Sequence, residues 1–273
     1  VFQTDCQKSG KSTQRTPPGV KLLFLGTGTS QGIPVVGCPC STCHSTDPRD
    51  RRLRSSVFIE ANGRKFLIDT SPDLRQQLLT HLITDVDAIL FTHEHNDHTA
   101  GLDDVRPINF LQQKSIAAYA SARVINDLTI RYPYVFGTNH YPGSPRVELH
   151  EMVAGHSLDI AGCSILPLAV EHGNLPILGF KIGELAYITD ASSLPESTID
   201  AIRGVKVLVI NALQLAPHHA HFNLDQAVAM AANIGAEKTY LTHMSHQLGP
   251  VDQWAPTLPF GVEAASDGLV VTI

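Results

Sequence analysis

Seven residues, Thr92-His93-Glu94-His95-Asn96-Asp97-His98, constrain this chain more than any other stretch. They set three imidazoles and a carboxylate directly after the apolar run Val86-Asp87-Ala88-Ile89-Leu90-Phe91, which reads as a buried strand. A strand end is a rigid place from which to hang ligands. Polar groups packed this tightly need solvent, hydrogen-bond partners or a cation, and imidazole with carboxylate is a donor set suited to divalent metals. A solvated His-rich turn explains such density poorly.

One cluster of this kind cannot close two metal sites, so further ligands are expected at later strand ends. His172 follows the apolar run ending at Val170, Asp190 follows Tyr187-Ile188-Thr189, and His243 follows Tyr240-Leu241-Thr242. Any one alone reads equally well as an ordinary turn residue. Three recurrences of the same context, a metal-competent side chain just past an apolar strand, do not.

The rest of the chain suits an αββα sandwich of the α/β class, with two sheets inside and helices outside. Strands are expected at Val20–Gly26, in a hairpin of Ser56–Ala61 with Lys65–Asp69, and at 163–170, 178–182, 185–189, 205–210 and 238–242. Edge strands are expected at 262–264 and 269–273, and helices over 74–82, near 120–128 and over 223–234 with Asn223 as N-cap. Gly26, Gly28 and Gly32 permit a tight loop with close backbone approach, without the spacing of a dinucleotide fingerprint. Residues 1–19 read as an irregular arm before a single domain over 20–273, and the less regular 102–150 region as a cover for the site.

Composition bounds the partners. A content of 43% hydrophobic and 17% charged residues is that of an ordinary globular protein, and a net charge of −6 argues against a broad nucleic-acid footprint. No apolar run approaches the roughly 20 residues that span a bilayer. The chain opens on Val1, so a removed targeting segment stays open. Three of five cysteines crowd into Cys38-Pro39-Cys40-Ser41-Thr42-Cys43, too close for a disulfide framework, which fits a reducing, cytoplasmic setting. Cys6 and Cys163 stand alone and each reads as a small buried or incidental residue.

These motifs resemble the metallo-β-lactamase superfamily, whose signature is T-H-x-H-x-D-H, and within it the phosphodiesterase branch of the carbon–phosphorus lyase pathway. The branch is carried by Gly26-Thr27-Gly28 with Gln31-Gly32, the three cysteines, Leu67-Ile68-Asp69, Asp190 with Leu194-Pro195-Glu196, and Leu241-Thr242-His243-Met244-Ser245-His246-Gln247. The resemblance implies one metal on His93, His95 and His172, a second on Asp97, His98 and His243, and Asp190 bridging them. Zinc, manganese or iron would suit such ligands, about 3.5–4 Å apart and sharing a hydroxide that hydrolyses a small or cyclic phosphodiester. It further implies a structural zinc on Cys38, Cys40, Cys43 and His246, a closed set with no open position.

Asp69 would accept a hydrogen bond from a ligand imidazole. His221 would meet the phosphate, protonated, with His218 and His219 as competing assignments, and Arg106 is a phosphate contact or a plain surface residue. Asp97 and His221 are thus the expected catalytic pair. Other readings are tRNA 3′-end processing, which uses a basic protruding arm not seen in this sequence, thioester or lactone hydrolysis, and a metal-stabilised binding protein. A homodimer is compatible with each.

Overall fold

The computed structural model describes residues 19–138 and 143–273. The expected arm, all but Gly19 and including Cys6, and part of the expected cover lie outside them. One sheet holds β1 (Val20–Gly26), β2 (Ser56–Ala61), β3 (Arg64–Ile68), β4 (Ala88–Leu90), β5 (Ile116–Ala120) and β6 (Val147–Glu151). The other holds β7 (Leu158–Ile160), β8 (Cys163–His172), β9 (Leu175–Ile182), β10 (Leu185–Tyr187), β11 (Val207–Asn211), β12 (Lys238–Thr242) and β13 (Val262–Ala264). The last strand, β14 (Val270–Thr272), returns to the edge of the first sheet beside β1.

The two sheets share one plan among the described residues. Each has seven strands, in the orders β14-β1-β2-β3-β4-β5-β6 and β13-β12-β11-β10-β9-β8-β7. Pairing is antiparallel from β14 through β3 and parallel from β3 to β6, and likewise antiparallel from β7 to β10 and parallel from β10 to β13. Parallel strands release their carboxyl ends at one rim, where open sheets collect functional groups.

Strand alternation divides the apolar residues into three cores. Phe66, Ile68, Leu90, Phe180, Tyr187 and Val209 fill the space between the sheets. The intervening Leu67 and Ile89 face outward against Leu74, Val105, Val124 and Leu128, while Ala186, Leu208 and Ile210 pack with Ile199, Ala227 and Ile234 of the opposite helical layer. The result is the expected αββα order. Both expected edge strands, β13 and β14, lie at sheet edges.

The expected cover is more regular than its sequence suggests, because β5, β6 and the helices Arg106–Gln112 and Ala122–Arg131 fall inside it. The second helix starts after Ala120 because Ala120 ends β5 and the Ser121 hydroxyl caps Val124 N–H. The predicted 223–234 helix begins at Leu224 behind a full capping box of Asn223 and Gln226. Among the described residues no helix is long and apolar enough to cross a membrane.

Candidate metal centre

The predicted ligands arrive from four strand ends. His93 to His98 follow β4, His172 ends β8, Asp190 follows β10 and His243 follows β12. Ligand atoms of His93, His95 and His172 lie within 4.8 Å of one another, as do those of Asp97, His98, Asp190 and His243. Asp190 and His243 sit at φ +57° and +52°, and Asp69 at +63°. Non-glycine residues in this left-handed region cost on the order of 1–3 kcal/mol, a strain that persists where the surroundings fix it.

Second partners set which ring nitrogen faces the centre. Thr92 donates its N–H to Asp69 Oδ1 and its hydroxyl to Asp69 Oδ2, both at 2.8 Å. With its proton so committed, Thr92 Oγ1 accepts from His93 Nδ1 at 2.9 Å. His98 Nδ1 donates directly to Asp69 Oδ2 at 2.7 Å. One buried carboxylate thus orients two imidazoles and leaves the Nε2 lone pair of each free. His172 does the same through the Ala220 carbonyl, 2.7 Å from Nδ1. His243 is held between Thr29 Oγ1, 3.1 Å from Nε2, and Ser55 Oγ, 3.2 Å from Nδ1.

A divalent ion fits what the contacts of His93 and His98 leave over. Nε2 of His93 and of His98 are buried with no hydrogen-bond partner. Asp190 Oδ1 stands 3.4 Å from His98 Nε2 and 3.2 Å from His243 Nδ1, and its Oδ2 stands 3.9 Å from His93 Nε2. Nitrogen and oxygen donors at about 2.0–2.1 Å from one tetrahedral ion would be about 3.3 Å apart, so the second group is already at bonding separation. Asp190 reaches both groups. Burial by itself would raise Asp190, but the imidazoles of His243 and His98 hold its carboxyl well below the usual range. Burial would likewise raise Asp97, and His98 pulls it down instead.

Nδ1 of His246 lies 3.2, 3.4 and 3.6 Å from the sulfurs of Cys38, Cys40 and Cys43. A tetrahedral zinc bound at ordinary lengths would separate sulfur from nitrogen by about 3.6 Å. The Cys43 N–H donated to its sulfur pulls the Cys40 thiol down to about 6, while burial pushes Cys43 up to about 11.

His221 Nδ1 is 4.0 Å from Asp190 Oδ2, buried without a partner, and its ligand atom groups with those of His172 and Asp190. Burial pushes His221 down to about 3. An anion alongside would favour the charged form. His218 instead accepts the Ala220 N–H at Nδ1, 3.2 Å away. Arg106 directs its contacts elsewhere, to Asp103 at 3.3 Å and the Gly143 carbonyl at 3.5 Å.

Sequence reasoning missed Thr29, Ser55, Thr92 and the Ala220 carbonyl as supports. Thr92 alone had a signal, its place at the head of the motif. Glycine assists as expected in the first loop: a Cβ on Gly26 would fall 2.0 Å from the Arg54 carbonyl.

Residues 64–244 match the family model described as beta-lactamase superfamily domain. The chain belongs to this superfamily. It is 39% identical to a solved "new diphosphatase from the PhnP family", with a TM-score of 0.87 covering 93% of this chain and 97% of that one. An "octanoyltransferase" of Porphyromonas gingivalis is also 39% identical over 256 residues, which are 93% of this chain and 52% of that protein. The chain therefore spans about half the length of that relative. A "ribonuclease Z" of Mycobacterium sp. strain KMS is 25% identical over 261 residues, 85% of this chain and 86% of its own. The chain has the metallo-β-lactamase fold of that superfamily.

Proposed function

We propose that this chain is a dimetal-dependent phosphodiesterase acting on a small or cyclic phosphodiester. The carrying observation is the Asp190 carboxylate, with one oxygen 3.4 Å from His98 Nε2 and the other 3.9 Å from His93 Nε2, so that one residue serves two ligand groups. In this reading His93, His95 and His172 hold one ion, Asp97, His98 and His243 the other, and Asp190 bridges. Two divalent ions, zinc, manganese or iron, would supply a nucleophile near neutral pH and offset the charge of the phosphate.

The chain's own residues do the rest. Asp69, through Thr92 and directly, fixes the rings of His93 and His98. His221 stands beside Asp190 where the phosphate enters, and its ring binds the phosphate or protonates the departing oxygen. Cys38, Cys40, Cys43 and His246 hold a separate zinc that ties the first loop to the segment after β12. The similarity to a PhnP-family diphosphatase supports a phosphoester substrate.

A panel decides the substrate class: metal-loaded protein against bis(p-nitrophenyl) phosphate, p-nitrophenyl phosphate, an octanoyl thioester and a pre-tRNA. Turnover of the diester with little of the monoester is expected. The thioester tests the acyl chemistry in the name of the P. gingivalis relative, and pre-tRNA that of ribonuclease Z. Activity confined to either would overturn the proposal.

A further inference from the structure

Glu94 and Asn96, the two residues between His93 and His98 that carry no proposed ligand, are both gripped by one helix. At its C-terminal end Arg131 Nη1 donates to Asn96 Oδ1 at 3.0 Å, and Nη2 donates to the Glu94 carbonyl and to Thr99 Oγ1, each at 2.9 Å. At its N-terminal end Arg123 Nε pairs with Glu94 Oε1 at 3.1 Å, and its Nη2 donates to the Pro176 carbonyl at 2.7 Å. Thr99 Oγ1 in turn donates to the His95 carbonyl at 2.9 Å. The helix is itself fixed, with Val124 and Leu128 buried in the outer core and Asp127 paired to Arg131 one turn away.

The turn so held needs holding. His95 and Asn96 are exposed, Glu94 and Asp97 are half-buried, and within the segment only its ends, His93 and His98, are buried. A planar guanidinium has a rigid fork of donors, which suits one residue that must span a side-chain oxygen, a carbonyl and a hydroxyl. We infer that Arg131, aided by Arg123, is a positioning residue that sets His95 and Asp97 in place to bind metal. One of these ligands belongs to each proposed ion, so a single arginine bears on both sites. The inference rests on the metal-ligand reading of the motif.

The test uses the whole chain stripped of metal and titrated with Mn²⁺ by calorimetry, comparing wild type, R131A, R131K, N96A and the double variant N96A/R131A. R203A, an exposed arginine paired with Glu196 and Asp200, is the control. R131A is expected to weaken binding about 10- to 100-fold, as loss of a ligand-orienting contact does, with R131K in between because an ammonium cannot span three acceptors. Asn96 and Arg131 should be coupled, so that the double variant loses less than the product of the single losses. R203A should bind as wild type.

Should R131A prove badly folded, the milder N96A still reads the same contact. Equal affinity in wild type, R131A and N96A overturns the clamp, as does a loss in R131A matched by an equal loss in R203A. No metal uptake by wild type would instead overturn the metal-ligand reading itself.

Discussion

Asp69 carries two imidazoles at once, and that arrangement decides how the centre responds to single changes. In D69N the amide N–H would face either the Thr92 backbone N–H or, in the Oδ2 place, both the Thr92 hydroxyl and His98 Nδ1, so the side chain can no longer accept from all three donors. Metal affinity should then fall about 10- to 100-fold, measured by calorimetry on the stripped chain; unchanged affinity would refute the role. His221 and His218 separate in the same way. H221A should lower kcat/KM for the diester by about 10²- to 10⁴-fold, the range of a lost general acid. H218A should cost less than tenfold, since its Nδ1 already serves the Ala220 N–H. Steady-state kinetics on the diester checks both, and a reversed order would move the role to His218. The ligand candidates were legible in the sequence because each imidazole or carboxylate sits just past an apolar run. Asp69 apart, their supports were not, since the contact of Ser55 with His243 or of Arg131 with Asn96 joins positions far apart in the chain.

At the level of elements, strands that carry their own apolar signal were readable and strands that borrow burial were not. Ile116-Ala117-Ala118-Tyr119-Ala120 has little hydrophobic weight, yet β5 is held between β4 and β6 and covered by the Ala122–Arg131 helix. β6 is an edge strand with Glu148 and His150 alternating against Val147 and Leu149, too polar to stand out among its neighbours. The loop of the three cysteines and the loop before β14 are tied by side-chain contacts instead. C40S should reduce bound zinc by about one ion per chain, read by elemental analysis; unchanged stoichiometry would exclude the Cys-His site. In the second tie, Asp267 accepts from Thr27 Oγ1 and the Leu53 N–H, both at 2.7 Å. Burial pushes its carboxyl up to about 6 from an ordinary 3.8. A folded value above the unfolded one means that its contribution is full below the unfolded value and is lost as pH rises through about 6. Wild type should therefore gain about 1.4 kcal/mol on D267N between pH 8 and pH 5, or about 2–4 °C per kcal/mol in melting temperature. A pH-independent difference would show that the carboxyl titrates normally.

Across the whole molecule, both proposed metal positions straddle the two halves of the chain. The first sheet gives His93, His95, Asp97 and His98 and the second gives His172, Asp190 and His243, while the three cysteines of the first half meet His246 of the second. Each half alone offers an incomplete ligand set. Bound ions would thus act as cross-links between the sheets as well as in chemistry, adding to the apolar core that already joins Phe66 and Leu90 to Phe180 and Tyr187. A ligand that binds only the folded chain stabilises it by about 4 kcal/mol at a thousandfold excess over its dissociation constant. At about 2–4 °C per kcal/mol, stripping the metals should lower the melting temperature by roughly 10 °C, with recovery on adding Zn²⁺ or Mn²⁺. In C40S, where the proposed structural ion is already lost, the same stripping should cost less than in wild type. If stripped and loaded protein melt together while calorimetry shows metal bound, the ions sit on a scaffold already closed without them, and cross-linking between the halves is excluded.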